Sequence, residues 1–166
     1  MKIKVLIISI CVIITAVLVG LLLMRRSTNE ITKVSEIRRF YFTYSKGYMA
    51  NSGVRYELEN DHYGCKVTIK PYEYSSEDEI SLYVSDNVSK KVEDVINKYN
   101  VVKWDGFKGN NRYVLDGDSF SMTISLKDGT YISASGYMEW PENYSKVRNE
   151  LDDIFMEIFY ETDRSY

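Results

Sequence analysis

The feature that most constrains this chain is an uncharged run of 20 residues near its start, from Val5 to Met24. Ile, Val and Leu fill most of the run, and Ser9, Thr15 and Gly20 interrupt it only weakly. A helix of this length spans the roughly 30 Å hydrocarbon layer of a bilayer and satisfies its own backbone polar groups. We therefore predict a transmembrane anchor over residues 1–26, in contact with the lipid bilayer through residues 5–24.

A cleaved signal peptide is the main alternative to an anchor. Its apolar region is typically about 7–15 residues long and ends at a cleavage site of small residues. Here the apolar run is longer and is followed directly by Arg25 and Arg26. A lipoprotein signal would use Cys11, but Ile10 stands where a small residue is needed. We therefore expect an uncleaved signal anchor.

The orientation of the anchor is not fixed by its flanking charges. Lys2 and Lys4 precede the apolar run, and Arg25 and Arg26 follow it, so the positive-inside rule is nearly balanced. Large downstream domains cross membranes largely regardless of charge. We expect a single-pass protein of the cell membrane whose folded domain lies outside the cytoplasm.

The charge after the anchor is acidic. All 24 Asp and Glu residues but only 17 of the 21 Lys and Arg residues lie after residue 26, which gives that part a formal charge of −7. Nucleic-acid binding requires a basic face that displaces counterions from phosphates. We therefore expect no nucleic-acid partner.

The rest of the chain has the pattern of a short tether, residues 27–36, and one α+β domain, residues 37–166. Alternating apolar and polar residues predict strands at Phe40–Tyr44, Val54–Leu58, Cys65–Ile69 and Ile80–Val84. Apolar residues at helical spacing predict one helix from about Val88 to Tyr99 and a second that begins at Trp140-Pro141 and includes Ile158. Residues 101–118 are expected to be irregular.

A hairpin between the two helices can be predicted in register. A three-residue loop, Lys127-Asp128-Gly129, pairs Ile124 with Ile132, Met122 with Ala134 and Phe120 with Gly136. A slip by one residue would place these large side chains opposite serines, so the apolar register is favoured. With this hairpin we expect a mostly antiparallel sheet of about six strands, with both helices packed on one face.

The other face of this hairpin is rich in hydroxyl groups. It carries Ser119, Ser121, Thr123, Ser125, Tyr131, Ser133, Ser135 and Tyr137. Such a face could bind a polar ligand such as a glycan or a peptide, although an antiparallel sheet often has one solvated face without a ligand. We take Tyr131, Ser133, Ser135 and Tyr137 as candidate binding residues.

Two turns place a tryptophan beside polar residues. Trp104 precedes Asp105, and Trp140 precedes Pro141 and Glu142. These aromatic side chains could line a pocket or could seal the end of the core. Trp104, Asp105 and Trp140 complete the candidate ligand or partner site.

No pattern of catalytic or metal-binding residues stands out. Asp116 and Asp118 lack the remaining oxygen ligands of a calcium loop. His62 and Cys65 are too few for a zinc site, and Cys65 falls on the inward phase of its strand. We expect no metal, no cofactor and no catalytic residue, and hence a binding module for an envelope protein, peptide or glycan. The alternatives are a hydrolase that attacks an envelope polymer with Asp105, Asp116 and Asp118, or a structural or regulatory subunit of a membrane complex.

Four motifs suggest relatives. They are Trp104-Asp105-Gly106-Phe107, Leu115-Asp116-Gly117-Asp118-Ser119-Phe120, Ser133-Ala134-Ser135-Gly136-Tyr137 and Trp140-Pro141-Glu142-Asn143-Tyr144. With them, the stretch from Trp104 to Phe155 resembles a group of envelope proteins and lipoproteins of Gram-positive bacteria that has no established activity. The resemblance implies a location outside the cytoplasm and transfers no catalytic residue.

Overall fold

The computed structural model describes residues 33–47, 53–71 and 79–164. The predicted anchor at residues 1–26 and the predicted tether as far as residue 32 lie outside the described residues. Within the described part, no helix is both long enough and apolar enough to cross a membrane. Val34 is 1% exposed, and its backbone N–H and C=O bond to the side chain of Asn97 at 2.7 and 2.8 Å. The packed structure therefore already includes Val34, inside the segment predicted as a tether.

The described domain contains one seven-stranded sheet and two α-helices, which confirms the predicted α+β class. The strands are β1 Ile37–Ser45, β2 Gly53–Asn60, β3 Cys65–Lys70, β4 Ile80–Val84, β5 Lys108–Asn110, β6 Ser119–Leu126 and β7 Tyr131–Tyr137. The helices are α1 Asn87–Lys98 and α2 Tyr144–Asp163, and a 3-10 helix spans Val101–Trp104.

The strand order is β4-β3-β2-β1-β6-β7-β5. All neighbouring strands are antiparallel except β5 and β7, which are parallel. Hairpins produce the order β4 to β1, and a long connection through α1 brings the chain to the other half of the sheet. The sheet is therefore mostly antiparallel, as predicted, with seven strands instead of about six.

The apolar phase of the strands forms the core. Phe40 and Phe42 of β1, Tyr56 of β2 and Val67 of β3 are each at most 1% exposed. Phe155 of α2 stacks on Tyr56 with a centroid distance of 4.6 Å. These contacts confirm the inward phase that the alternation predicts.

Both helices pack on this same face. In α1, the Ser89 hydroxyl accepts a hydrogen bond from Asn60 Nδ2 at 2.7 Å, and Asn60 shares the inward phase of β2. The helices also contact each other, with Lys98 Nζ of α1 at 2.6 Å from Glu150 Oε1 of α2. In the described part of the chain, the opposite face of the sheet carries no helix. We call this opposite side, with the outward residues of all seven strands, the open face.

The predicted hairpin register is confirmed. Ile124 pairs with Ile132, Met122 with Ala134 and Phe120 with Gly136. The Leu126 N–H donates to Thr130 O at 2.9 Å and so closes a three-residue loop. Gly129 has a φ of +91°, a conformation that glycine adopts without the steric cost of a Cβ atom.

Two boundary predictions are wrong. The second helix begins at Tyr144 and not at Trp140, because Asn143 has a left-handed φ of 62° that interrupts the helical path. Pro141 lies in the preceding turn, where its carbonyl accepts a hydrogen bond from Tyr144 N at 3.2 Å. Residues 101–118 are not all irregular, since they contain the 3-10 helix and β5. Lys-Gly-Asn has low strand propensity, so β5 depends on its pairing with β7.

Candidate functional site

The open face is divided into a hydroxyl-rich half and a charged half. In the hydroxyl-rich half, Tyr41 of β1 lies beside Thr123 of β6, which lies beside Ser133 of β7. The next row joins Thr43, Ser121 and Ser135, followed on the outer side by Lys108 of β5. The structure thus brings the predicted hydroxyl groups of β6 and β7 together. Tyr41, Thr43 and Ser45 of β1 belong to the same surface, and sequence reasoning missed them because the neighbour of β1 was not known.

Ion pairs occupy the charged half. Arg39 Nη2 lies 2.6 Å from Glu59 Oε1, and Arg55 pairs with Glu57 and with Glu79. The Arg39 and Glu59 side chains are 61% and 43% exposed, and pairs this exposed contribute only about 0–1 kcal/mol. The charges therefore shape the surface potential more than they stabilise the fold.

A depression of about 540 Å³ lies where the two halves meet. Its lining includes Tyr41, Thr123 and Ser125 from the hydroxyl-rich half, and Arg39 and Glu57 from the charged half. Hydroxyl groups both donate and accept hydrogen bonds, and a tyrosine ring adds an apolar surface for stacking. The arrangement suits a polar ligand that is recognised through many weak hydrogen bonds.

Tyr131 and Tyr137, both predicted as binding residues, differ in whether the rest of the domain already holds their side chains. Tyr131 is 56% exposed on the open face. The Tyr137 hydroxyl accepts a hydrogen bond from Gly117 N at 2.8 Å and lies 2.8 Å from Leu115 O. Tyr137 therefore fixes the loop that precedes β6, whereas Tyr131 is available to a ligand.

Asp105 also has a structural role. Its Oδ1 atom accepts a hydrogen bond from Ser133 N at 3.0 Å. Gly106 N then donates to Ser133 O at 2.8 Å, and Ser135 N donates to Phe107 O at 3.0 Å. The carboxylate thus replaces a backbone carbonyl at the start of the ladder between β7 and the segment leading into β5.

The two tryptophans lie on the covered side of the sheet, away from the hydroxyl groups. Trp104 is 3% exposed and donates from Nε1 to Glu142 O at 3.1 Å. Trp140 stacks on Tyr144 with a centroid distance of 4.6 Å. Both line a second cavity of about 440 Å³, together with Tyr99, Asn100 and Asn143. The predicted site residues therefore belong to two places and not to one.

The three carboxylates of the hydrolase alternative do not converge. Asp105 is bonded to Ser133, whereas Asp118 accepts a hydrogen bond from the Tyr44 hydroxyl and lies beside Met138. The five residue steps from Ser133 to Met138 span roughly 17 Å of extended chain, whereas a glycosidase pair needs about 5–10 Å. Asp116 is exposed in the loop between β5 and β6.

Beneath α2, three tyrosines form a buried polar cluster that sequence reasoning did not find. Tyr56 donates to Asp152 Oδ1 at 2.9 Å, and the guanidinium of Arg148 lies 3.9 Å from the ring centroid of Tyr44. Burial raises the pKa of Tyr44 to about 12, and burial also raises the pKa of Tyr56, Tyr144 and Asp152. The only sequence signal was the spacing of Arg148 and Asp152, one helical turn apart beside the apolar stripe.

The His62 and Cys65 pair does not form a nucleophilic site. Cys65 is 0% exposed, which confirms its predicted inward phase, and burial raises the pKa of its thiol to about 11. A thiol with a raised pKa is poorly reactive at neutral pH. Among the described residues, no group of three or more His, Cys, Asp or Glu side chains could hold a metal ion.

Comparison with known proteins adds no assignment. No protein-family model matches the chain, and no curated protein matches it significantly. The resemblance to Gram-positive envelope proteins therefore stays a prediction.

Proposed function

We propose that this chain is a membrane-anchored, non-enzymatic binding module that meets a polar envelope ligand through the open face of its sheet. The ligand class is an envelope protein, peptide or glycan. The observation that carries this function is the hydroxyl-rich half of the open face, where rows of Ser, Thr and Tyr cross β1, β6 and β7 without a covering helix in the described part.

The location is supported by the sequence. The uncharged run at residues 5–24 is long enough to span a bilayer, and no small-residue cleavage pattern follows it. The formal charge of −7 after residue 26 disfavours contact with nucleic acid or with an anionic membrane surface. A domain held beside a membrane without lying on it is well placed to meet envelope components.

The location can be tested by labelling the full chain in intact host cells. In a Cys11→Ser background, Asp153→Cys places a thiol on the exposed side of α2, while Cys65 stays buried. We expect a membrane-impermeant maleimide to label the protein before the cells are permeabilised. Labelling only after permeabilisation, or recovery of the chain in the soluble fraction after lysis, would overturn the proposed location.

The binding surface can be tested with a photo-crosslinking amino acid at two matched tyrosines. Tyr131 is 56% exposed on the open face, and Tyr160 is 47% exposed on α2, on the other side of the sheet. We expect a discrete covalent adduct in cells when the crosslinker replaces Tyr131 and none when it replaces Tyr160. Equal adducts from both positions, or adducts from Tyr160 alone, would contradict the open face as the binding surface.

A further inference from the structure

The two edges of the sheet differ in how well they are protected against pairing with another strand. The edge strand β5 has only three residues, Lys108-Gly109-Asn110, of which one is charged and one is glycine. The edge strand β4 has five residues, Ile80-Ser81-Leu82-Tyr83-Val84, without a charge, a proline or a glycine. Proteins normally keep strand edges short or charged, because a free edge can pair with another strand. Only β5 follows that rule.

The apolar side of β4 is also left partly uncovered. Ile80, Leu82 and Val84 are only half-buried, whereas their partners on β3, Ile69, Val67 and Cys65, are all 0% exposed. Among the described strands, none pairs with the outer edge of β4. With respect to the described residues, backbone hydrogen-bonding groups and apolar surface are therefore uncovered along the same five residues.

We propose that β4 pairs antiparallel with β4 of a second copy of this chain, about a twofold axis at Leu82. In this register Leu82 faces Leu82 of the second copy, and Ile80 faces Val84. On the open face Ser81 lies opposite Tyr83. The register uses all five residues and keeps apolar side chains beside apolar ones, whereas a slip by one residue would mix the two faces.

The sequence of β4 fits a second copy better than an arbitrary strand. A twofold contact requires one strand to complement itself, and β4 does so without placing like charges opposite each other. In the dimer, one row of apolar side chains would run through both copies. Val67 and Leu82 of one copy would be followed by Leu82 and Val67 of the other. Because β5 is blunted, the assembly closes at two copies instead of growing into a fibre.

The expected contact is small. A ladder of five residues buries less than the roughly 1,200–2,000 Å² of a stable interface, so the dimer is weak in dilute solution. Tyr63, 75% exposed and 6.5 Å from the ring centroid of Tyr83, adds aromatic surface at the end of the same edge. The dimer does not depend on the proposed ligand site, and the proposed anchor would raise the local concentration of the chain.

Charge variants on the exposed side of β4 test the twofold register. Ser81→Lys with Tyr83→Lys places two pairs of lysines directly opposite each other in the dimer. Ser81→Lys with Tyr83→Glu instead places lysine opposite glutamate twice. Both variants change exposed side chains and lose the same hydrogen bond from Tyr83 to Asp61. Because residue 83 also lies opposite Lys66 of β3 in the same copy, the unfolding of each variant is measured as well, so that a weaker dimer is counted only where the folded domain is intact.

The mass of each full-length chain is measured in detergent by sedimentation over a range of concentrations. We expect the wild type to pass from monomer to dimer, the lysine–lysine variant to dimerise about tenfold more weakly or worse, and the lysine–glutamate variant to remain dimeric. A wild type that is monomeric throughout, a lysine–lysine variant that dimerises like the wild type, or two variants weakened equally would each overturn the proposal.

A disulfide test locates the axis independently. In a Cys11→Ser background, Leu82→Cys places two thiols opposite each other, where the Cα separation of about 4.5–5.5 Å suits a disulfide. Lys108→Cys puts the same thiol on the β5 edge. We expect a covalent dimer from Leu82→Cys and not from Lys108→Cys. Equal dimer from both positions, or none from Leu82→Cys, would reject pairing at β4.

Discussion

The two faces of the sheet differ in how strongly packing constrains their side chains. On the covered face, Phe40, Tyr56 and Phe155 stack in a closed aromatic core, and each position is defined by what packs on it. On the open face, Tyr41, Thr123 and Ser133 adjoin one another in a row, but in the described part nothing packs over them. The comparison teaches that core packing constrains which side chains the covered face can carry. The side chains of the open face are under no such constraint and can serve binding.

The largest expected effect on the covered face comes from alkaline pH. Burial raises the pKa of Tyr44 from 10.0 to about 12, and it raises the pKa of Tyr56 and Tyr144 in the same direction. A raised folded-state pKa adds stability that is complete below the unfolded pKa and is lost as pH rises through the folded one. We therefore expect the domain to lose stability steeply as the pH rises from 10 to 12. Circular dichroism recorded together with tyrosinate absorbance checks this, and ionisation of every tyrosine without loss of structure would contradict it.

Truncation of the core is expected to have the next largest effect. Phe155 is 0% exposed and stacks on Tyr56 at 4.6 Å and on Phe40 at 6.2 Å. Phe155→Ala should lower the free energy of unfolding by about 3–5 kcal/mol, because it leaves a cavity between α2 and the sheet. Denaturant unfolding of the full chain in mild detergent, followed by tryptophan fluorescence, measures the change. A loss below about 1 kcal/mol would mean that α2 is not packed as described.

Two hydroxyl deletions in the covered face should differ from each other. Tyr56→Phe removes the donor to Asp152 and leaves a half-buried carboxylate with less hydrogen bonding, which should cost about 1–3 kcal/mol. The Tyr144 hydroxyl is buried and has no hydrogen-bond partner among the described residues. Tyr144→Phe should therefore be neutral or should stabilise by up to about 1 kcal/mol. Equal losses in the same unfolding assay would refute this assignment of the two hydroxyl groups.

The smallest expected effect on stability is on the open face. Tyr131→Ala removes a side chain that is 56% exposed, so the free energy of unfolding should change by no more than about 0.5 kcal/mol. The same unfolding assay measures it. A loss of the size expected for Phe155→Ala would show that the open face is covered, and the contrast between the faces would fail.

Much of the fold could be predicted because local patterns carry the information. Period-two alternation placed β1 to β4, and the requirement to pair Phe120 with a small residue fixed the hairpin of β6 and β7. The β5 strand could not be predicted, since its three residues form a strand only through β7 and the Asp105 carboxylate. The start of α2 was missed because the left-handed φ of Asn143 is a consequence of the turn around Pro141.

The candidate site was only partly predictable. The hydroxyl groups of β6 and β7 follow from the hairpin register, so they could be grouped from sequence. Their neighbours on β1 depend on the strand order, in which β1 lies between β2 and β6, and no local pattern encodes that order. Trp104 and Trp140 were added to the candidate site because an aromatic side chain beside a turn can line a pocket, but both pack on the covered side of the sheet, against Tyr144.

The most direct test of the account separates binding from folding on the open face. Thr123→Lys with Ser133→Glu replaces a hydroxyl row by an opposite-charge pair, which should keep the sheet stable while it blocks the surface. Ser145→Glu with Asn149→Lys makes the matching change on the exposed side of α2. With the crosslinker at Tyr131 of the full chain in host cells, we expect the adduct to fall several-fold for the first pair and to persist for the second. An adduct that survives the open-face change, or that falls equally in both variants, would contradict the central claim.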